Sequence, residues 1–198
     1  PFSLERAVSA VERVRTRLLK AAAALNSAGV PYAVAGGNAV ALWVSRVDES
    51  AVRNTQDVDV LVRRADFDRV RAALESAGFT YRHVAGIDAF LDSATAKPRD
   101  AVRVVFAMER VRPHEPACNP DVTDSEDAGM YRVLSLAALV QIKLTAFRDK
   151  DRVHLRDLIG VGLVDAGWLS RIPTPLAERL RQLLETPVGK RELGGVAG

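Results

Sequence analysis

Residues 33–40 read Ala33-Val34-Ala35-Gly36-Gly37-Asn38-Ala39-Val40, a short apolar strand that ends in two glycines and runs into a predicted helix. Glycines let backbone N–H groups approach a phosphate closely, and the start of a helix adds a partial positive charge. A tight strand-to-helix turn without any ligand would give the same pattern, because glycine permits such a turn anywhere. The motif therefore predicts a phosphate-binding turn or a purely structural one.

A pair of aspartates opens the next predicted strand, which reads Asp57-Val58-Asp59-Val60-Leu61-Val62. Residues two apart in a strand share a face, so Asp57 and Asp59 are expected to project side by side. Two carboxylates this close repel each other, and a divalent cation such as Mg²⁺ or Mn²⁺ would relieve the repulsion. An exposed acidic strand edge, or pairing of Asp57 with Arg53, is the alternative that the sequence leaves open.

Together, the glycine turn and the aspartate pair resemble the signature of the DNA polymerase β-like nucleotidyltransferase superfamily. The order Gly36-Gly37 and then Arg53-x-Thr55-x-Asp57-x-Asp59 is similar to that of the antibiotic-modifying adenylyltransferases and of the AbiEii-type toxins. The resemblance implies that the glycine turn holds a nucleoside triphosphate. It also implies that the two aspartates are the metal ligands and bind Mg²⁺ or Mn²⁺.

A lysine stands within the apolar stripe of the predicted helix after Ser135. The stripe contains Leu136, Leu139, Val140 and Phe147, and Lys143 falls in its middle. Such a lysine needs an anionic partner or must extend its ammonium group to water. In AbiEii-like enzymes a lysine on a corresponding helix is followed by an Arg-x-x-Asp type of motif, which Arg148-Asp149-Lys150-Asp151 resembles, although His154 stands where a second aspartate is common.

The resemblance assigns roles to these residues. Lys143 would contact phosphate, and Asp151 would be a further acid of the active site. The predicted catalytic residues are then Asp57, Asp59, Lys143 and Asp151. The predicted nucleotide-binding residues are Gly36, Gly37, Asn38, Arg53, Thr55 and Lys143.

The superfamily usually has a third carboxylate on a later strand, where it activates the attacking hydroxyl group. The matching strand here, residues 101–107, contains no acid, and Val104 or Val105 is expected at that position. Glu109, just beyond the strand, or Asp151 could substitute. Loss of a base beside the nucleophile typically slows transfer about 10²–10⁴-fold.

Three hypotheses about function follow. The first is an Mg²⁺-dependent nucleotidyltransferase that binds a nucleoside triphosphate and transfers NMP to a hydroxyl group of RNA, a protein or a small molecule. The second is a catalytically degenerate relative that binds nucleotide or a partner protein, as the missing third acid suggests. The third is a toxin that acts on tRNA and is paired with an antitoxin.

The order of predicted elements indicates an α/β fold, a nucleotidyltransferase-type mixed sheet flanked by helices, with C-terminal helices. We expect an α/β core with an N-terminal helix at 1–132, a helical region packed on it at 133–186, and a flexible tail at 187–198. Asp66 and Ser135 are predicted helix caps, and residues 109–129, with three prolines, are predicted to form a loop.

Composition indicates which kinds of partner and which cell compartment to expect. The net charge of +3, from 28 basic and 25 acidic residues, does not indicate the concentrated basic face of a nucleic-acid-binding protein. No stretch approaches the roughly 20 apolar residues that span a bilayer, so no membrane contact is expected. The single cysteine, Cys118, suits a reducing compartment, and we expect the cytoplasm.

Overall fold

The computed structural model describes residues 4–93, 96 and 100–186. The predicted flexible tail at 187–198 lies outside the described residues. The helices are α1 (Leu4–Ser27), α2 (Gly36–Ser45), α3 (Phe67–Ser76), α4 (Leu136–Ala146), α5 (Asp149–Gly160) and α6 (Thr174–Glu185). The strands are β1 (Tyr32–Ala35), β2 (Val58–Val62), β3 (Thr80–Val84), β4 (Ile87–Leu91), β5 (Ala101–Phe106), β6 (Ser125–Asp127) and β7 (Arg132–Leu134).

The strands form one seven-stranded sheet in the order β3-β4-β5-β2-β1-β7-β6. β1 pairs with β2 in antiparallel orientation, whereas β2 pairs with β5, and β1 with β7, in parallel orientation. The sheet is therefore mixed, and β1 and β2 lie next to each other at its centre. The predicted α/β fold is confirmed.

Alternate residues of the central strands face two different hydrophobic clusters, as the pleat of a strand requires. Ala33 and Ala35 of β1 pack in the cluster that contains residues of α2, α4, α5 and α6. Tyr32 and Val34 pack in the cluster that contains residues of α1 and α3. Helices thus cover both faces of the sheet.

The same alternation orients β2 and β5. Val58, Val60 and Val62 belong to the cluster on the α1 and α3 side, as do Val102 and Val104. The odd-numbered residues of both strands therefore face α2, α4 and α5. This alternation decides which side chains of β2 and β5 face the site.

Several local predictions need correction. β6 lies inside the segment predicted as a loop, and β7 follows it. Strands of three residues are too short to produce a recognisable alternation. Asp66 occupies the N-cap position of α3, but no side-chain cap bond forms there, and its carboxylate instead pairs with Arg69 at 3.1 Å. The Ser135 cap is confirmed, since its side chain accepts a hydrogen bond from the backbone N–H of Ala138.

The division between an α/β core and a helical region stays a prediction. Its boundary between residues 132 and 133 falls within β7, which pairs with β1. The hydrophobic cluster on the α2 side joins side chains from β1, α4, α5 and α6. Within the described residues, no helix is long and apolar enough to cross a membrane.

Candidate nucleotide-binding site

The glycine turn and the aspartate strand are in close contact. Gly36 has a φ of +64°, and a Cβ atom there would overlap the carboxylate of Asp59, with its Cγ only 2.8 Å away. A Cβ atom at Gly37 would come within 2.6 Å of Oγ1 of Thr55. Asn38 donates a hydrogen bond from Nδ2 to the backbone carbonyl of Asp57 at 2.7 Å. Both glycines are thus needed because the next strand approaches so closely.

A guanidinium group lies against both aspartates. Asp59 of β2 is in register with Arg103 of β5, and both face α4 and α5 by the alternation described above. Arg103 lies 3.0 Å from Oδ1 of Asp59 through Nε, and its Nη2 contacts Oδ2 of Asp57. Burial acts to lower the pKa of Arg103, but the charges of Asp59 and Asp57 outweigh it, so the pKa lies above its usual value.

This ion pair bears directly on the predicted metal site. Mg²⁺ and Mn²⁺ would need the oxygens of Asp57 and Asp59, and Arg103 engages both carboxylates. Across the part of the chain that the structure describes, no three His, Cys, Asp or Glu side chains form a group that could hold a metal ion. Because Arg103 already engages the two carboxylates of the predicted site, the residues present do not fit a resident divalent cation.

Asp57 does not pair with Arg53, the alternative that the sequence left open. Its carboxylate contacts Arg103 and lies 3.7 Å from Nζ of Lys150. Arg53 instead binds Asp157 of α5 at 2.8 Å, and its side chain is 65% exposed.

A buried ion pair forms the other wall of the site. Lys143 and Asp151 are only 4% and 1% exposed, and Nζ lies 2.9 Å from Oδ1. Arg148 binds the second oxygen of Asp151 through Nε at 2.8 Å. Burial acts to raise the pKa of Asp151, but Lys143 and Arg148 hold it below its usual value.

The pKa of Lys143 is also affected by Asp59. Burial lowers its pKa, while the charges of Asp151 and, more weakly, Asp59 act to raise it. The ammonium group is thus near both acidic groups of the site. The lysine does not reach out to water, as one alternative proposed, but is buried with an anionic partner.

These groups line one cleft of about 380 Å³. Its cationic side chains are Arg64, Arg103, Arg110, Lys143, Arg148 and Lys150. Its carboxylates are Asp59, Asp88, Glu109, Glu115 and Asp151. Asp57, which contacts Arg103 and lies 3.7 Å from Lys150, is a sixth acid beside these six cations, so the cleft has mixed charge, with Gly36 in its wall.

The match to a family model covers residues 3–133, and the family is described as an uncharacterised nucleotidyltransferase. The chain belongs to this nucleotidyltransferase family. The superfamily that the two sequence motifs predicted is thereby confirmed. The closer resemblance to AbiEii-type toxins stays a prediction.

Several solved structures resemble this chain at low sequence identity. An antigenic nucleotidyltransferase-like protein from Paracoccidioides brasiliensis is 18% identical, with a TM-score of 0.54, and the match covers 88% of each chain. The antibiotic-resistance factor ANT(2'')-Ia is 17% identical, with a TM-score of 0.47 over 89% of this chain and 83% of that chain. JHP933 from Helicobacter pylori is 14% identical, with a TM-score of 0.47 over 92% and 75%. No curated protein matches the chain.

The predicted site residues of this family member divide into three groups. Those that line the cleft are Gly36, Asp59, Lys143 and Asp151. Those outside the lining but in contact with it or with the turn are Gly37, Asn38, Thr55 and Asp57, whose carboxylate contacts Arg103 and lies 3.7 Å from Lys150. Arg53 is not among the cleft-lining residues described.

The two valines expected at the position of the missing third acid face opposite sides of the sheet. Val104 packs in the cluster on the α1 side, whereas Val105 packs in the cluster on the α2 side and is in register with Leu61. The residue level with Asp59 and on its side is Arg103. Glu109 lines the cleft but binds Arg64 through both oxygens, at 2.6 and 2.7 Å. Neither Glu109 nor Asp151, which Lys143 and Arg148 hold, is a free substitute.

Sequence reasoning missed Arg103 and Lys150. A signal for Arg103 was present, because it is the one charged residue in the apolar run 101–107. Linking it to the aspartates required the register between two strands that are distant in sequence. Lys150 lies within the Arg148-Asp149-Lys150-Asp151 motif, which assigns it no role, although its ammonium group lies 3.7 Å from Oδ2 of Asp57.

Proposed function

We propose that this member of the nucleotidyltransferase family binds a nucleoside triphosphate in the cleft and transfers its nucleotidyl group poorly. The observation that carries the proposal is the convergence of Gly36, Arg103 and Lys150 in one cleft. A triphosphate is the anionic ligand that a glycine turn at the start of a helix is suited to bind.

The start of α2 supplies the proposed phosphate contacts. Ala35 occupies the N-cap position and has no side-chain group that could satisfy the N–H groups of the first turn. Phosphate oxygens would accept hydrogen bonds from these backbone groups and benefit from the helix dipole. Lys150, whose side chain is 44% exposed, would contribute its charge from α5.

Lys143 would act at shorter range. Its ammonium group is buried and lines the same cleft, with Asp151 as its partner. A buried ammonium group interacts strongly with an anion that enters the cleft, because little water screens it. Asp151 is then a positioning residue, which keeps the lysine charged and oriented.

Poor transfer is supported by the surroundings of the aspartates. The neighbouring strand β5 carries Arg103 level with Asp59 and contains no carboxylate, and a guanidinium group cannot accept the proton of an attacking hydroxyl. Mg²⁺-dependent transfer of NMP to an acceptor is the second candidate. The retention of both Asp57 and Asp59 beside the glycine turn favours it.

Nucleotide binding is tested by calorimetric titration of ATP, GTP, CTP and UTP into the wild type and Lys150→Ala. Loss of one charged hydrogen bond to phosphate costs about 1.5–3 kcal/mol, or roughly ten- to hundredfold in affinity. The matched control is Arg152→Ala, because Arg152 lies on the same helix with a similar exposure of 45% but outside the cleft lining. Equal affinities for the two variants would reject the cleft as the binding site.

Transfer is tested by incubating the protein with labelled triphosphates, Mg²⁺ or Mn²⁺ and cell extract. We expect bound nucleotide without appreciable labelling of any acceptor. Label that moves to RNA, a protein or a small molecule, and no longer moves with Asp59→Asn, would support the second candidate. Labelled tRNA in particular would favour the toxin hypothesis.

A further inference from the structure

We propose that Arg103 is a built-in counter-cation of the Asp57–Asp59 pair, and that the site binds its nucleotide without a divalent metal ion. The first part rests on the described contacts alone. The second part rests also on the proposed function, since it concerns how the triphosphate is held.

The position of Arg103 is determined by the sheet and not by a mobile loop. β5 lies between β4 and β2, and Arg103 is in register with Ala89 on one side and Asp59 on the other. Alanine offers the guanidinium group no competing partner. The arginine side chain is 27% exposed and extends towards the two carboxylates.

The contacts satisfy the electrostatic need that would otherwise require a metal. Two carboxylates side by side on a strand repel each other unless a cation lies between them. Arg103 contacts one oxygen of Asp57 through Nη2 and one of Asp59 through Nε. Because a guanidinium group stays protonated at any physiological pH, this one positive charge between the two carboxylates is permanent.

A divalent ion at the same carboxylates would lie next to the guanidinium group. Like charges at that distance repel strongly in a half-buried cleft. A triphosphate brings negative charge to the same place, where Lys150, 44% exposed, is the least engaged cation, while Arg103 and Lys143 stay with their carboxylate partners. The cleft therefore offers the phosphates cationic side chains instead of a metal.

The test is binding of Mn²⁺, followed by electron paramagnetic resonance of the free ion, in the absence of nucleotide. We expect the wild type to show no Mn²⁺ site that depends on Asp59. Arg103→Gln releases both carboxylates and is expected to bind one Mn²⁺ about tenfold or more tightly than the wild type. The added change Asp59→Asn should remove this gained site.

The matched control is Arg64→Gln, because Arg64 is another arginine of the cleft and its removal releases the single carboxylate of Glu109. No Mn²⁺ site should appear in this variant. A Mn²⁺ site in the wild type that Asp59→Asn abolishes would overturn the proposal. So would the failure of a folded Arg103→Gln variant to gain Mn²⁺.

If Arg103→Gln does not fold, the experiment uses Arg103→Lys instead. This variant keeps a cation beside Asp57 and Asp59. The wild-type result, together with the lack of a Mn²⁺ site in this variant, then decides the inference. A folded Arg103→Lys variant that binds Mn²⁺ through Asp59 would show that a charge at this position does not exclude a metal, and would overturn the proposal.

The nucleotide affinity in excess EDTA and in Mg²⁺ tests the second part. We expect affinities within about threefold of each other, whereas an increase of about tenfold or more in Mg²⁺ would contradict metal-free binding. If no triphosphate binds in either condition, the proposed function fails and metal-free nucleotide binding fails with it. The Mn²⁺ measurement still decides whether Arg103 replaces a metal at the aspartates.

Discussion

Gly36→Ala tests the geometry on which the candidate site depends. The added Cβ atom would overlap the carboxylate of Asp59, coming within 2.8 Å of its Cγ and 2.9 Å of its Cβ. Because Gly36 is held by the backbone at the junction of β1 and α2, the aspartate side chain has to move away. That movement separates Asp59 from the Nε of Arg103, which it now holds at 3.0 Å.

The magnitude follows from three contributions. A left-handed φ of +64° costs an alanine about 1–2 kcal/mol. Loss of the charged hydrogen bond between Asp59 and Arg103 costs about 1.5–3 kcal/mol. Reduced freedom of the unfolded chain offsets about 0.4–1 kcal/mol. The free energy of unfolding should therefore fall by about 2–4 kcal/mol.

The assay is urea denaturation followed by circular dichroism, with Gly162→Ala as the matched control. Gly162 also has a positive φ, of +76°, but a Cβ atom there would meet nothing within 4 Å. Backbone strain is then shared by both variants, and only Gly36→Ala disturbs the aspartate. Equal losses of stability in the two variants would refute the close approach of the glycine turn to Asp59.

Three further predictions concern the helical wall of the site. Asp151→Asn leaves the buried ammonium group of Lys143 without its anion and should reduce the free energy of unfolding by about 3–5 kcal/mol. Asp149→Asn, which alters a fully exposed carboxylate of the same helix, should change it by less than about 0.5 kcal/mol in urea denaturation. Burial lowers the pKa of His154 to about 4 from its usual 6.5. Between pH 4 and 6.5, the unfolded chain therefore binds a proton at His154 that the folded chain does not. Stability should fall as the pH drops from 6.5 to 4, and His154→Gln should flatten this dependence in denaturation curves measured across that range. Ser135→Ala removes the cap of α4 and should cost about 1 kcal/mol by the same denaturation measurement; no change would mean that the cap is not needed.

Local sequence patterns predicted the parts of the site that depend on neighbouring residues. The alternation in residues 57–62 placed Asp57 and Asp59 on one face, and the apolar stripe around Lys143 predicted that this lysine has an anionic partner or extends to water. The double glycine predicted the turn, and Gly36 does have the positive φ that glycine favours. Each of these inferences needs only the period of a strand, a helix or a turn.

The role of Arg103 depends instead on distant pairing. β2 and β5 are neighbours in the sheet, yet two strands and a helix separate them in sequence. Only their register sets Arg103 level with Asp59. The sequence predicted that an acid was missing, but it could not identify the residue that lies level with Asp59. Similarly, β6 and β7 form because each finds a partner strand and not because of their own patterns.

A crystal structure of the protein with a non-hydrolysable nucleoside triphosphate, grown with and without Mg²⁺, tests the central claim most directly. We predict that the phosphates lie against the start of α2 at Gly36, with Lys150 in contact and Arg103 still bound to Asp57 and Asp59 in both crystals. A nucleotide bound away from the cleft, or a metal ion seated on the two aspartates with Arg103 displaced, would contradict the account.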